Sequence, residues 1–383
     1  MTTYSFPVKR IGIVGGGQLG RMMVAAAERL GCTCVVLDPT PNSPAGQIAG
    51  KQIIGNLHDA EKLREIAEDC DVLTYEIEDI DTTTLLALQN EGHEIHPSPQ
   101  VLALIQDKLI QKRAYAEHGI TTSEFVEVTE HSEQAFADFG YPLVQKARRG
   151  GYDGRGVSIM KSANDFSKQL PIPSLLERFV PAKKEIAVMV ARGKDGSTST
   201  YPPVEMCFSN ENILDLLLAP ADIPKKIANK AEALAIQVVE ALNGVGIFGV
   251  EMFWTEDDEL LVNEVAPRTH NSGHQTIEAN ITDQFEQHLR AVIGLPLGSS
   301  KQVSAAAMIN LLGEPGSKGK QIITGLDESL ALPSVCVHLY GKAVTSPYRK
   351  MGHVTVLDDN IEKAREKAMK VRALLKISGE DPA

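Results

Sequence analysis

The residues with the most chemical content are two glutamates in the second half of the chain. Apolar-rich runs Ile247 to Trp254 and Glu259 to Val265 flank Asp257-Asp258, so this stretch reads as a β-hairpin. Glu251 and Glu264 are equidistant from that turn. They therefore face each other across the ladder, their Cβ atoms about 4.5–5.5 Å apart. Carboxylates so placed repel unless a cation lies between them, and hard oxygen ligands with open positions suit Mg²⁺, or Mn²⁺, carrying nucleotide phosphates. Strand alternation puts Phe253 and Val262 on the same face, which predicts a shielded pair rather than a solvated one.

Four other segments carry chemistry. Arg148-Arg149-Gly150-Gly151-Tyr152-Asp153-Gly154-Arg155-Gly156 joins two strands, and its glycines leave backbone N–H groups free to wrap phosphates. No GK[ST] follows and no helix starts there, so the segment reads as a flap over a nucleotide, with Lys146 as a further cation on the approach strand. Beyond Glu264, the run Ala266 to His274 crowds Arg268, His270, Asn271, Ser272 and His274 together and predicts a polar pocket. Lys342, Arg349 and Lys350 lie on either side of Ser346-Pro347, a spacing that suits a loop clamping a phosphate. Finally, Gly15-Gly16-Gly17-Gln18-Leu19-Gly20 follows a strand and opens a helix, with Asp38 at the end of the next strand. That is the fingerprint of a dinucleotide site, with the anion at the helix N-terminus and the acid on ribose hydroxyls; it also fits another phosphorylated ligand.

The elements that position these groups follow from periodicity. Residues 10–105 alternate strand and helix: strand Arg10 to Val14, helix Gln18 to Leu30, strand Cys32 to Asp38, helix Asp59 to Glu68, strand Val72 to Tyr75, helix Thr82 to Asn90, and a short strand Glu94 to His96. That order predicts a parallel sheet covered by helices. His96-Pro97-Ser98-Pro99 breaks the pattern. A smaller α+β unit follows, with a helix from Asp107 to His118 that carries Lys108 and Lys112 one turn apart, and it ends before Pro181. Further strands, a helix from Pro224 to Leu242 and a final amphipathic helix from Asn360 to Lys376 complete the chain.

With 383 residues, 43% hydrophobic and 23% charged, the chain is long enough for two or three folded domains. Its net charge of −12 argues against a nucleic-acid binder. Five cysteines without a CxxC pair argue against zinc or a disulfide framework. No run of about 18 apolar residues occurs, so neither a membrane span nor a leader is expected and the predicted compartment is the cytoplasm.

Taken in order, Gly15 to Met22, Tyr75-Glu76, Asp107-Lys108, Gly150 to Gly156 and Asn263-Glu264 through His274 resemble the ATP-grasp superfamily, and within it the PurK branch of N5-carboxyaminoimidazole ribonucleotide synthetases. The resemblance spans nearly the whole chain. It implies a mixed α/β and α+β architecture: a Rossmann-like domain (1–104), a small mobile lid domain (105–181) and a larger domain with a C-terminal extension (182–383), typically in a homodimer. The implied reaction is carboxylation of aminoimidazole ribonucleotide with ATP and bicarbonate.

By the same resemblance, Lys108 and Lys146 contact ATP phosphates under the Gly150 to Gly156 flap. Glu177, Arg178, Phe179 and Val180 form the adenine hinge, Glu185 takes the ribose hydroxyls, and Asn263 joins Glu264 at the nucleotide, with Glu251 and Glu264 on the metal. Gln18, Glu76, Tyr152, Asp153, Arg155, His274, Lys342, Arg349 and Lys350 are placed at the ribonucleotide. Arg268 matches a bicarbonate-binding position, and Asp153, Arg155, Arg268 and Asn271 are the candidate catalytic groups. Two departures stand out: Glu205-Met206-Cys207-Phe208 where relatives commonly have E-N-x-H, and Ala266 two residues after the second metal glutamate. Alternative readings are another ATP-grasp ligase (of the formate-dependent glycinamide ribonucleotide transformylase or biotin carboxylase type), a dehydrogenase using the Gly15 to Gly20 turn, and a non-catalytic ATP sensor.

Overall fold

The computed structural model describes residues 3–151, 156–209 and 213–382. Strands β1 (Arg10–Val14), β2 (Thr33–Asp38), β3 (Lys51–Ile54) and β4 (Val72–Tyr75) form a parallel sheet in the order β3-β2-β1-β4. Helices α1 (Gln18–Arg29), α2 (Ala60–Glu68), α3 (Thr82–Asn90) and α4 (Pro99–Ile105) belong to this unit. The strands are apolar on both faces because both are covered. Met23, Val24 and Ala27 of α1 pack on one face beside Phe285 and Leu289 from far downstream, while Leu63, Ile66, Leu85, Leu88 and Leu102 close the other. β3 has no counterpart in the sequence reading, because its four residues form a half-polar edge strand with Lys51 and Ile54 exposed. The strand expected at Glu94 to His96 is reduced to a single bridge, Leu73 to Ile95.

Helix α5 (Lys108–Glu117) leads into an antiparallel sheet of β5 (Phe125–Glu127), β6 (Leu143–Ala147), β7 (Val157–Met160) and β8 (Ser174–Arg178), ordered β5-β8-β6-β7. Helix α6 (Glu133–Phe139) closes one face through Phe136, against Leu143, Met160 and Leu176. Val144, Lys146, Leu175 and Glu177 point to the other face by alternation, so that face carries charge toward the rest of the molecule.

The largest sheet contains β9 (Ala182–Arg192), β10 (Thr198–Thr200), β11 (Val204–Phe208), β12 (Leu214–Ala219), β13 (Gly246–Thr255), β14 (Leu260–Ala266) and β15 (Ala305–Leu312). After β16 (Ser317–Thr324) it gains β17 (Val335–Leu339) and, past β18 (Val344–Thr345), β19 (Lys350–Asp358); its order is β14-β13-β9-β11-β12-β15-β19-β17, with β10 beside β9. The chain ends in β20 (Lys376–Pro382), which with β16 and β18 makes a three-stranded sheet. Helix α7 (Lys225–Leu242) buries Ile227, Ala231, Ala235, Val238 and Val239 against β9 and β13. The short α8 (Thr276–Ala279), then α9 (Gln284–Ile293) and α10 (Leu326–Leu330), follow in sequence. Last comes α11 (Ile361–Leu374), which buries Ala364, Ala368 and Val371 on β15 and β19.

Candidate active site

The hairpin β13-β14 pairs Glu251 directly with Glu264. It reaches that register through two offsetting irregularities. The loop Glu256 to Asp258 holds Asp258 at φ 59°, and Thr255 N–H donates to Glu259 O, so the pairing nearest the turn is one residue short of the register that a two-residue turn would set. Between the Met252–Val262 and Glu251–Glu264 pairs Asn263 is left over as a bulge, which restores it. The bulge also corrects the alternation. Val262 lies with Met252 on the core face, fully buried, while the face of Glu251 and Phe253 is only half covered. The carboxylate pair therefore opens toward a cleft.

Across that cleft stand the lysines. Lys108, on the first turn of α5, meets Glu264 Oε2 at 2.5 Å. Lys146 of β6 donates to Asn263 Oδ1 at 2.8 Å and lies 3.2 Å from Glu177 Oε2. Helix α5 is placed by its own start. Asp107 caps it through Leu109 and Ile110 N–H and at the same time receives Arg148 on both carboxylate oxygens, at 2.7 to 3.2 Å. Arg148 also reaches Glu127, at 2.9 Å. Its role is thus to fasten the loop base to α5. Gly150 and Gly156 adopt φ 75° and 71°, where a side chain is strained, and Ala147 N–H closes the loop on Gly156 O. Gly151 lies between them; Tyr152, Asp153, Gly154 and Arg155 are outside the described residues.

The electrostatics of the glutamate pair are those of a site built for a cation. Lys108 holds Glu264 below the usual carboxylate range. Burial, then the charges of Glu264 and Glu185, push Glu251 above it. His270 Nε2 lies 3.5 Å from Glu251. A divalent ion between the two carboxylates removes the repulsion, and two protein oxygens leave room for phosphate and water in an octahedral shell, so the residues present fit Mg²⁺. Glu185 of β9 stands between Phe253 and Met206 on the neighbouring strands, its carboxyl raised by burial. Of the hinge residues, Glu177 turns inward to the lysines, whereas Arg178 turns away, hydrogen-bonded to Phe139 O and Gly140 O. Phe179 N–H donates to Pro142 O at 3.3 Å, and Val180 follows, half-buried, before β9.

Next to this cleft lies a basic pocket. Arg268 pairs with Glu78 of the parallel-sheet unit at 2.7 Å and donates to Thr269 O, while its buried Nε has no partner among the described residues. Asn271 exchanges amide hydrogen bonds with Asn310 of β15, at 2.8 and 3.2 Å. His274 is buried and accepts from Gln284 on Nδ1. Burial first, then the charges of His270, Lys350, His338 and Arg268, hold its pKa well below the ordinary histidine range. Lys342 donates to Lys350 O and Arg349 to Val344 O, and Gln47 of the parallel-sheet unit reaches Gly341 O next to Lys342.

The glycine-rich turn is already filled. Glu76 accepts from Gly17 and Gly20 N–H at 2.5 and 2.8 Å, and Asp38 accepts from Gly16 and Thr40 N–H. A carboxylate of the chain itself thus sits where the dinucleotide reading requires a pyrophosphate. Asp38 serves the turn instead of a ribose. Gln18, the first residue of α1, is half-exposed beside Glu76's partners. Sequence reasoning placed Lys112 beside Lys108 without giving it a role, and passed over Glu78 and Asn310. Lys112 had a readable signal, a lysine on the helix stripe that otherwise buries Leu109 and Tyr115.

Two facing sheets, with Lys146 on one and Lys108 on the helix that leads into it, a carboxylate pair on the other and a glycine-rich loop at the rim, define an ATP-grasp site. Residues 113–285 match the ATP-grasp domain, 8–106 the ribonucleotide synthetase preATP-grasp domain and 306–367 the phosphoribosylaminoimidazole carboxylase C-terminal domain. The crystal structure of N5-carboxyaminoimidazole ribonucleotide synthetase from Thermotoga maritima is 49% identical with a TM-score of 0.91, covering 97% of this chain and 100% of that one. That of the Aspergillus clavatus synthase with ADP and 5-aminoimidazole ribonucleotide is 35% identical with a TM-score of 0.88, covering 95% and 98%. Phosphoribosylaminoimidazole carboxylase of Saccharomyces cerevisiae is 41% identical over 94% of this chain, and the chain spans 65% of that relative's length. The chain belongs to the N5-carboxyaminoimidazole ribonucleotide synthetase family.

Proposed function

We propose that the chain carboxylates 5-aminoimidazole ribonucleotide to N5-carboxyaminoimidazole ribonucleotide with ATP and bicarbonate, releasing ADP and phosphate, a step of de novo purine biosynthesis. The observation that carries this reading is the adjacency of two anion sites. The cleft of Lys108, Lys146, Glu251 and Glu264 suits a metal-bound polyphosphate, and Arg268, whose buried Nε has no partner among the described residues, suits a second anion beside it. The A. clavatus relative, whose structure is a complex with both ADP and 5-aminoimidazole ribonucleotide, supports a two-ligand reading.

In this reading a bicarbonate oxygen attacks the γ-phosphorus of ATP and the bond to ADP breaks, leaving carboxyphosphate. Lys108 and Lys146 hold the phosphates in line, and their charge offsets that gathering on the phosphoryl oxygens. Mg²⁺ or Mn²⁺, held by Glu251 and Glu264, supplies further charge neutralisation when bound. Arg268 orients bicarbonate. The exocyclic amine of the ribonucleotide then attacks the carbonyl carbon, phosphate leaves, and the amine proton passes to Asp153. Flap residues Gly150 to Gly156 exclude water from the intermediate. Gln18, Glu76, Tyr152, Arg155, Lys342, Arg349 and Lys350 line the ribonucleotide site, Asn271 joins Arg268 among the catalytic groups, and Glu177 to Val180 with Glu185 hold the nucleoside. A homodimer, a cytoplasmic location and the division into 1–104, 105–181 and 182–383 belong to the same reading. The test is ADP release with each candidate acceptor: strict dependence on aminoimidazole ribonucleotide and bicarbonate together is expected, and ADP release with glycinamide ribonucleotide and formate instead overturns it.

A further inference from the structure

Lys112 is buried, 1% exposed, one turn beyond Lys108 on α5. Its Nζ donates to Thr122 Oγ1 at 2.5 Å and Ser123 Oγ at 3.0 Å and lies 3.1 Å from Glu177 Oε2. The same oxygen accepts from Ser123 Oγ at 2.7 Å and lies 3.2 Å from Lys146 Nζ. Glu177 Oε1, equally buried, has no partner among the described residues. One carboxylate oxygen therefore serves two ammonium groups, and the three side chains together carry a single positive charge.

We propose that Lys112 is a positioning residue for nucleotide binding, which fixes and neutralises Glu177 so that Lys146 keeps a full positive charge for the polyphosphate. The reasoning is electrostatic. Glu177 alone with Lys146 is a closed ion pair, with little field left to attract an anion. A second ammonium on the far side satisfies the carboxylate and leaves the charge of Lys146 unspent at the cleft, where its side chain is 12% exposed, against 2% for Lys112. Lys146 is also steered by Asn263, at 2.8 Å, so its position is set from both sheets. Lys112 is too buried to touch the nucleotide itself, and it acts through Glu177.

This inference rests on the assignment of Lys146 to the phosphates and not on the identity of the acceptor. The experiment is calorimetric ATP binding, with aminoimidazole ribonucleotide binding as the internal control. Lys112→Met keeps the aliphatic stem and removes the charge; it is expected to weaken ATP binding about tenfold or more, with ribonucleotide affinity unchanged. Lys112→Gln keeps a donor for Thr122 and Ser123 and serves if the methionine variant does not fold; the same loss is expected. Adding Glu177→Gln to either variant restores the net charge at Lys146 and is expected to recover most of the affinity. A lysine that only fills the core predicts no such recovery. Unchanged ATP affinity in a folded single variant, or a double variant weaker than the single one, overturns the proposal. Wild-type protein that binds ATP but releases no ADP with ribonucleotide and bicarbonate defeats the reaction assignment and leaves this measurement valid.

Discussion

At the scale of single residues, three of the cations that the proposed function offers to anions are held by carboxylates: Lys108 by Glu264, Lys146 by Glu177 and Arg268 by Glu78. These carboxylates stand in for the anions and keep the side chains oriented before substrate arrives. Glu264 is the most consequential, since it faces Glu251 and grips Lys108 together. Glu264→Gln is expected to lower kcat about 10²-fold or more and to raise the Mg²⁺ concentration needed for half-maximal ADP release. Near-normal turnover at ordinary Mg²⁺ sinks the metal assignment. The glutamate pair was legible because a hairpin register depends on local turn geometry, and here two one-residue irregularities cancelled. Val262 lies between those irregularities, the turn on one side and the Asn263 bulge on the other, so its face was misread. The part played by Arg148 was not legible for another reason: composition counts a charge but does not show that Asp107 and Glu127 already occupy it.

At the scale of elements, two short starts carry most of the positioning. Asp107 is 3% exposed, caps α5 and binds Arg148, so it sets where Lys108 and Lys112 stand. Asp107→Ala removes the cap and leaves a guanidinium half-paired, at an expected cost of about 2–4 kcal/mol. Thermal unfolding reads that loss, and KM for ATP is expected to rise with it; a melting temperature within a degree of wild type refutes the coupling. The start of α1 is similar. A Cβ at Gly17 lies 2.6 Å from Glu76 Oε1, so Gly17→Ala displaces the carboxylate that satisfies the helix N-terminus. A loss of about 1–3 kcal/mol is expected by chemical denaturation, with no NADH fluorescence change in either protein. Elements with a strong period were legible, among them β1, β4, α7 and α11. Those whose pattern is set by tertiary surroundings were not: β3 is a half-polar edge, the apolar run of β12 lacks alternation, and α9 buries Gln284, Gln287 and His288 along with its apolar residues.

At the scale of the molecule, a chain with a net charge of −12 gathers Lys108, Lys146 and Arg268 at one junction and balances them locally, so its overall sign does not decide what it binds. The same junction depends on a buried polar contact between units. His288 of α9 accepts from Ile247 N–H on Nδ1 at 3.1 Å, which leaves the proton on Nε2, 2.7 Å from Thr74 Oγ1 of β4. Burial pulls its pKa down to about 3, so it is neutral wherever the fold is intact. Unfolded histidine titrates near 6.5, and between those values the unfolded chain binds the extra proton. The stability that His288 contributes is thus fully present above about pH 6.5 and is lost progressively as pH falls toward 3, a loss of about 2 kcal/mol already at pH 5. His274 and His353, also held well below the ordinary histidine range by burial, act in the same sense. Glu76, Glu185 and Glu251, raised by burial, act in the opposite sense, so the absolute pH profile mixes both. A difference measurement isolates the histidine. His288→Gln can accept from Ile247 and donate to Thr74 without titrating. Between pH 7.5 and 5 the wild-type protein should lose about 2 kcal/mol more of its unfolding free energy than the variant, measured by urea denaturation at each pH. Parallel pH profiles for the two proteins would mean that the domain junction does not sense this proton.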